Sequence, residues 1–221
     1  MSAGPASRRL DGLILDVDGT LVDSLPLCIE AIRAAIAPYH PAELDDRSIL
    51  ARLGPSEEGI VRRAVPAGEG DRAYARFWAV YRAEHDRGVS IFPGIEAMLD
   101  ALAAHGVRLA VVTGKGADTA EFTLGKLGLG RRFESVRAGS LEGGHKAENL
   151  QATLRGWGMP ADRVAYLGDA PSDMQLAHAG GVRALGAAWA ASSRAAALRS
   201  AGAETTFSSP AEVERWLVPG P

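Results

Sequence analysis

Three short apolar runs, each stopped by a polar cluster, constrain this chain more than any other feature. Gly12-Leu13-Ile14-Leu15 leads into Asp16-Val17-Asp18-Gly19, a second run over 107–113 stops at Thr113 and Gly114, and a third over 163–167 stops at Gly168 and Asp169. Runs this short and this rich in apolar residues read as strands buried on both faces, the habit of parallel sheets. Helical spacing fills the intervals, over 94–105, 117–127, 147–157 and 172–179, and a weaker strand follows over 182–185. This alternation predicts an α/β fold, a doubly wound parallel sheet of the Rossmann-like kind.

Between Ser24 and Ile91 the rhythm changes. Apolar residues recur there at helical spacing, as in Leu27, Ala31 and Ala34 or Tyr74, Phe77, Trp78 and Tyr81, and no strand is expected. The segment 24–91 therefore reads as an all-helical insertion in a core formed by 1–23 and 92–221, with Phe92-Pro93-Gly94 marking the return. A core of ordinary size uses roughly 100–200 residues, so a 221-residue chain has room for one core and a small accessory unit.

Composition removes several classes of function. With 47% hydrophobic and 23% charged residues the chain is expected to fold unaided, as a monomer or homodimer. A net charge of −3 without runs of like charge argues against a nucleic-acid groove or a membrane-surface site, which leaves a small molecule as the expected partner. Cys28 is the single cysteine, so no internal disulfide is possible. No apolar stretch approaches the roughly 18 residues of a membrane span, and Arg8 and Arg9 precede no signal-like apolar region. A cytoplasmic location is expected.

Ligands of open α/β sheets bind beyond the carboxyl ends of the strands, and the chain sets Asp16 and Asp18, Thr113 and Gly114, Lys146, and Asp169 and Asp173 at or near such ends. Asp16, Asp18 and Asp169 together make a hard oxygen site suited to Mg²⁺. A calcium loop starting at Asp16 fails, because Leu21 and Leu27 fall where its glycine and its bidentate glutamate belong. A phosphate loop ending at Lys115 fails too, with Leu109 and Gly116 in place of glycine and hydroxyl, so Lys115 is expected to be solvated. Taken alone, Thr113 reads as a strand-end hydroxyl, and Asp169 and Asp173 as helix-start carboxylates. Lys146 stands out because the chain holds 3 lysines among 24 basic residues. His145, His178 and Cys28 lack spaced partners and read as structural or exposed.

In combination these residues resemble a known family. Asp16-Val17-Asp18-Gly19-Thr20-Leu21-Val22-Asp23-Ser24 is similar to the first motif of the haloacid dehalogenase superfamily, and Val111-Val112-Thr113-Gly114, Lys146 and Gly168-Asp169-Ala170-Pro171-Ser172-Asp173 follow in the family's order. The insertion resembles the C1 cap of the phosphoglycolate phosphatase-like branch. One departure is Ala147-Glu148-Asn149 after Lys146, where many relatives carry a Pro-x-Pro stretch. The resemblance implies a magnesium-dependent phosphatase acting on a small phosphorylated metabolite through an aspartyl-phosphate on Asp16. Asp18 would protonate the leaving oxygen and then activate water, while Thr113, Gly114 and Lys146 would hold the phosphoryl oxygens. Mg²⁺ would be held by Asp16, the backbone carbonyl of Asp18 and Asp169, with Asp173 beside the metal or on a water bound to it. Arg52-Leu53-Gly54-Pro55-Ser56 resembles the cap loop that approaches the core site, which makes Arg52 and Ser56 the expected cap contacts of the substrate. A carboxylate at Asp18 favours C–O–P chemistry. A phosphomutase of the β-phosphoglucomutase kind shares all four motifs, and a non-catalytic phosphate- or metal-binding protein is the alternative from another class.

Overall fold

The computed structural model describes residues 10–40, 45–51, 56–143 and 145–218. In chain order the elements are β1 (Gly12–Leu15), β2 (Val22–Asp23), α1 (Leu25–Ile36), α2 (Asp46–Leu50), α3 (Glu57–Arg63), α4 (Gly70–Gly88), β3 (Ser90–Ile91), α5 (Ile95–Ala104), β4 (Arg108–Gly116), α6 (Ala117–Lys126), β5 (Ser135–Gly139), α7 (Lys146–Trp157), β6 (Val164–Gly168), α8 (Pro171–Gly180), β7 (Arg183–Ala187), α9 (Ala195–Ser200), β8 (Thr205–Phe207) and α10 (Pro210–Leu217). Six strands form one parallel sheet in the order β5-β4-β1-β6-β7-β8. The chain winds outward from β1 through β4 to β5 and then crosses back to β6 on the other side of β1, so the winding reverses at β1 and opens a crevice beyond its carboxyl end.

Alternation along each strand divides the core into two layers. Leu13, Leu15, Val111 and Leu167 face Ile95, Met98 and Leu102 of α5 and Val213 and Leu217 of α10, and this cluster continues into Ile32 of α1 and Phe77 of α4. Ile14, Val112 and Tyr166 face the other way, onto Leu150 and Leu154 of α7, Met174 and Ala177 of α8, and Leu198 of α9. Both faces of the central strands are dry, which is why β1 carries no polar residue before Asp16.

The four helices α1–α4 lie in the chain between β2 and β3. Here the structure corrects the expectation of no strand up to Ile91: Ser90 and Ile91 pair antiparallel with Asp23 and Val22. Two-residue strands leave no period in a sequence, so only the pairing reveals them. The ribbon is reinforced by Phe92 N–H donating to the Leu21 carbonyl at 3.2 Å. α1 packs along α4, whose Tyr74, Phe77, Trp78 and Tyr81 recur at helical spacing; Trp78 meets Phe122 of α6 edge-on at 5.5 Å. Among the described residues no helix is long and apolar enough to cross a membrane.

Candidate active site

The site begins where β1 ends. Asp16 N–H donates to the Leu167 carbonyl at 3.0 Å and carries the β6 pairing one residue past the strand. The chain then turns tightly, with the Val17 carbonyl accepting from the N–H groups of Thr20, Leu21 and Val22 at 3.2, 2.9 and 3.1 Å. Gly19 makes the turn possible at φ 75°, and a Cβ there would lie 2.3 Å from Asp169 Oδ2. Gly168 shows the same close approach on the opposite strand, where a Cβ would lie 2.4 Å from Asp173 Oδ2. Gly19 thus lets the first and fourth polar clusters converge, and Gly168 makes room for Asp173 within the fourth.

At the centre, Lys146 Nζ donates to Asp16 Oδ2 at 2.6 Å and to Asp173 Oδ1 at 2.7 Å. Asp16 Oδ1 accepts from Val17 N–H at 2.7 Å. Asp173 is fully buried, and its Oδ2 accepts from Ala170 N–H at 3.1 Å, tying the first turn of α8 back on itself. Lys146 opens α7, where a cation opposes the helix dipole; the two carboxylates offset that cost. Burial works against the Lys146 charge, yet Asp16 and Asp173 hold its ammonium well above the usual lysine range. Thr113 is buried beside Asp16, and Gly114 leaves room for Lys146, whose Cε would lie 3.9 Å from a Cβ at that glycine.

Asp16, Asp169 and Asp173 each offer an oxygen within 4.8 Å of the others. Burial raises the Asp16 carboxyl, Lys146 opposes that rise, and Asp173 adds to it. Burial likewise pushes Asp169 well above the carboxylate range, with Asp173 and Asp16 adding repulsion. Among the described residues Asp169 receives no hydrogen bond from another residue's side chain. Three crowded carboxylates facing one ammonium are the donor set of a hard divalent cation, so the residues present fit Mg²⁺. Protein donors engage both oxygens of Asp173 and both of Asp16, whereas Asp169 meets no side-chain donor among the described residues and is the one of the three left open to such an ion.

The structure thus brings Asp16, Asp18, Thr113, Gly114, Lys146, Asp169 and Asp173 to one crevice. Arg52 lies outside the described residues. Ser56 is buried, but its hydroxyl caps α3 by accepting from Gly59 N–H at 3.3 Å, and its own N–H donates to the Ser140 carbonyl at 2.9 Å. The expectation of a solvated Lys115 is wrong. Its ammonium is buried and donates to Asp18 Oδ1 at 3.1 Å and to Glu57 Oε1 at 3.0 Å. Burial opposes that charge too, but Asp18, Cys28 and Glu57 hold it well above the usual range. Cys28 is buried at this spot, and burial pushes its thiol far up. Ser24, the last residue of the first motif, donates through Oγ to Asp18 Oδ1. The scarcity of lysine that marked Lys146 marked Lys115 equally; Glu57 carries no such signal.

The family model for haloacid dehalogenase-like hydrolase matches residues 13–187. A phosphoglycolate phosphatase of Rhodospirillum rubrum is 36% identical over 183 residues, which are 77% of this chain and 76% of that protein. Another, of Agrobacterium fabrum, is 33% identical over 192 residues, 81% of this chain and 82% of that one. Two solved structures share the fold. A haloacid dehalogenase-like family protein from Streptococcus pneumoniae matches with TM-score 0.75 at 23% identity, covering 94% of this chain and 98% of that one. CbbY from Rhodobacter sphaeroides matches with TM-score 0.72 at 20% identity over 92% and 96% of the two chains. Motif order, sheet topology and these likenesses agree: the chain belongs to the haloacid dehalogenase-like hydrolase family and is an enzyme.

Proposed function

We propose that this enzyme is a magnesium-dependent phosphatase that hydrolyses a small phosphorylated metabolite, a phosphoglycolate-like monoester, through an aspartyl-phosphate on Asp16. The observation that carries the reading is the Asp16–Lys146–Asp173 chain of contacts, with Asp169 alongside, at the reversal point of the sheet. The two phosphoglycolate phosphatases at 36% and 33% identity support the substrate class. In this reading 24–91 is a cap over a core of 1–23 and 92–221, and the enzyme works in the cytoplasm.

Asp16 attacks phosphorus in line, which divides one hard displacement into two easier ones. Its Oδ1 is steadied by the Val17 N–H, and Lys146 sits against Oδ2, where it also meets the phosphoryl oxygens together with Thr113 and Gly114. Asp18 gives its proton to the leaving oxygen and takes one from the hydrolytic water in the second step. Asp173 keeps Lys146 in place. Asp16, Asp169 and the Asp18 carbonyl would hold Mg²⁺, and the chemistry it would supply there is charge neutralisation between nucleophile and phosphate.

The test is a panel of phosphorylated metabolites, phosphoglycolate included, assayed with and without Mg²⁺. The reading expects magnesium-dependent phosphate release from a small monoester and none from Asp16→Asn. Release undiminished by removal of divalent cations contradicts it.

A further inference from the structure

A second buried polar cluster surrounds Lys115 beside Asp18. An ammonium carries three hydrogens, and Lys115 spends them on three partners: Asp18 Oδ1 at 3.1 Å, Glu57 Oε1 at 3.0 Å and Cys28 Sγ at 3.2 Å. Asp18, Cys28 and Glu57 alone have the look of a metal site, but the Lys115 ammonium already occupies the space among them. Glu57 is buried as well, and its other oxygen accepts from Gly116 N–H at 2.7 Å and from Thr119 Oγ1 at 3.0 Å.

The origin of these residues is what matters. Glu57 is the first residue of α3, between β2 and β3, whereas Lys115, Gly116 and Thr119 lie where β4 passes into α6. α3 is seated on the sheet side by further bonds, Ser56 N–H to the Ser140 carbonyl at 2.9 Å and Arg63 to the carbonyls of Leu141 and Glu142 at 3.0 and 2.8 Å. On Asp18 itself, Ser24 and Lys115 both donate to Oδ1, and among the described residues Oδ2 accepts no hydrogen bond. One oxygen is clamped and the other is available for proton exchange.

We propose that Lys115 is the positioning residue for Asp18 and that Glu57 is the counter-ion the cap brings to it, so that the acid/base group is held in its working orientation only while α3 is seated. The inference rests on the reading of Asp18 as acid and base. A buried ammonium needs its full set of partners. With α3 lifted, Lys115 loses the anion that fixes its direction, and the clamp on Oδ1 reduces to Ser24 and a lysine free to turn away. Capture of a substrate under the cap and readiness of Asp18 then become one event. In the first half-reaction the bond from phosphorus to the leaving oxygen breaks as that from phosphorus to Asp16 forms, and the Asp18 proton goes to the leaving oxygen. An alkoxide leaving group needs that proton; p-nitrophenolate hardly does.

The test compares kcat/KM, which reports the first half-reaction, for phosphoglycolate and p-nitrophenyl phosphate. Glu57→Gln suits it, because the amide oxygen still accepts from Gly116 and Thr119 while its NH₂ faces Lys115 donor to donor. The expected result is a fall of about tenfold or more on phosphoglycolate, the scale of general acid catalysis, with p-nitrophenyl phosphate within about twofold of wild type. Lys115→Met is expected to show the same selective loss, and should it unfold, the double variant Glu57→Gln/Lys115→Met removes both charges and is expected to show that loss too. Tyr74→Phe loosens the same helical segment from Asp118, 2.6 Å away, and is expected to lower both substrates alike. If Asp18→Asn lowers both substrates equally, the acid/base reading falls and the inference with it. If Asp18→Asn is selective while Glu57→Gln and the double variant are not, the inference alone falls.

Discussion

Asp169 is crowded by two other carboxylates, Asp16 and Asp173. Burial, then Asp173 and Asp16, raise its carboxyl, so its ionised form at neutral pH opposes folding. The sign follows from proton linkage. A carboxyl raised in the folded state binds more protons there, so stability falls as pH rises from the unfolded value to the folded one and stays low above it. Adding Mg²⁺ at neutral pH should therefore raise Tm; a ligand at a hundred times its Kd contributes about 2.7 kcal/mol. Asp169→Asn should melt higher than wild type without Mg²⁺ and respond less to the metal. Equal Mg²⁺-induced shifts in the two proteins would move Asp169 out of the metal site. The aspartates were legible in the sequence because Asp16, Asp18 and Asp169 fall just past the ends of dry strands and Asp173 opens the helix that follows one. Lys115 and Glu57 were not, since their meeting joins positions 58 residues apart and depends on how α3 seats. The Ser24 bond to Asp18 was hidden in a motif whose last residue reads equally well as a helix cap.

Elements were legible in proportion to how completely they are buried. β1, β4 and β6 are covered on both faces and announce themselves as apolar runs. β5 and β8 went unread because they are the sheet's two edges, half-exposed and built from Ser135-Val136-Arg137-Ala138-Gly139 and Thr205-Thr206-Phe207. Edge strands need no continuous apolar run, and three residues hold too little pattern. In α4 the aromatic spacing proved a packing signal: Phe77 is fully buried and stacks on Tyr74 and Tyr81 at 5.4 and 5.3 Å. Phe77→Ala should cost about 3–5 kcal/mol in denaturant unfolding, the range for emptying a buried aromatic position. A loss below about 1 kcal/mol would mean that α4 collapses into the gap or unfolds apart from the sheet.

At the scale of the whole molecule, the proposed function needs α1–α4 to move as a cap. Both crossings to the sheet lie together in the β2–β3 ribbon, beside Leu21 and before Pro93-Gly94, where a small change in backbone direction carries the helices as a unit. In the proposed function closure would exclude water while phosphate is bound, and opening would admit substrate and release product. Ser56 and Ser140 are joined across this boundary by a 2.9 Å backbone bond. A reversible disulfide through Ser56→Cys and Ser140→Cys should slow turnover when oxidised and restore it on reduction, with Mg²⁺ binding little changed. Equal activity in both forms would make the helices a fixed wall. The central claim is covalent chemistry at Asp16, and the most direct measurement is acid quenching during turnover, followed by borohydride reduction and mass spectrometry. Phosphate-dependent conversion of residue 16 to homoserine is expected in the wild type and none in Asp16→Asn. Full turnover with position 16 never modified, or turnover surviving in Asp16→Asn, would contradict it.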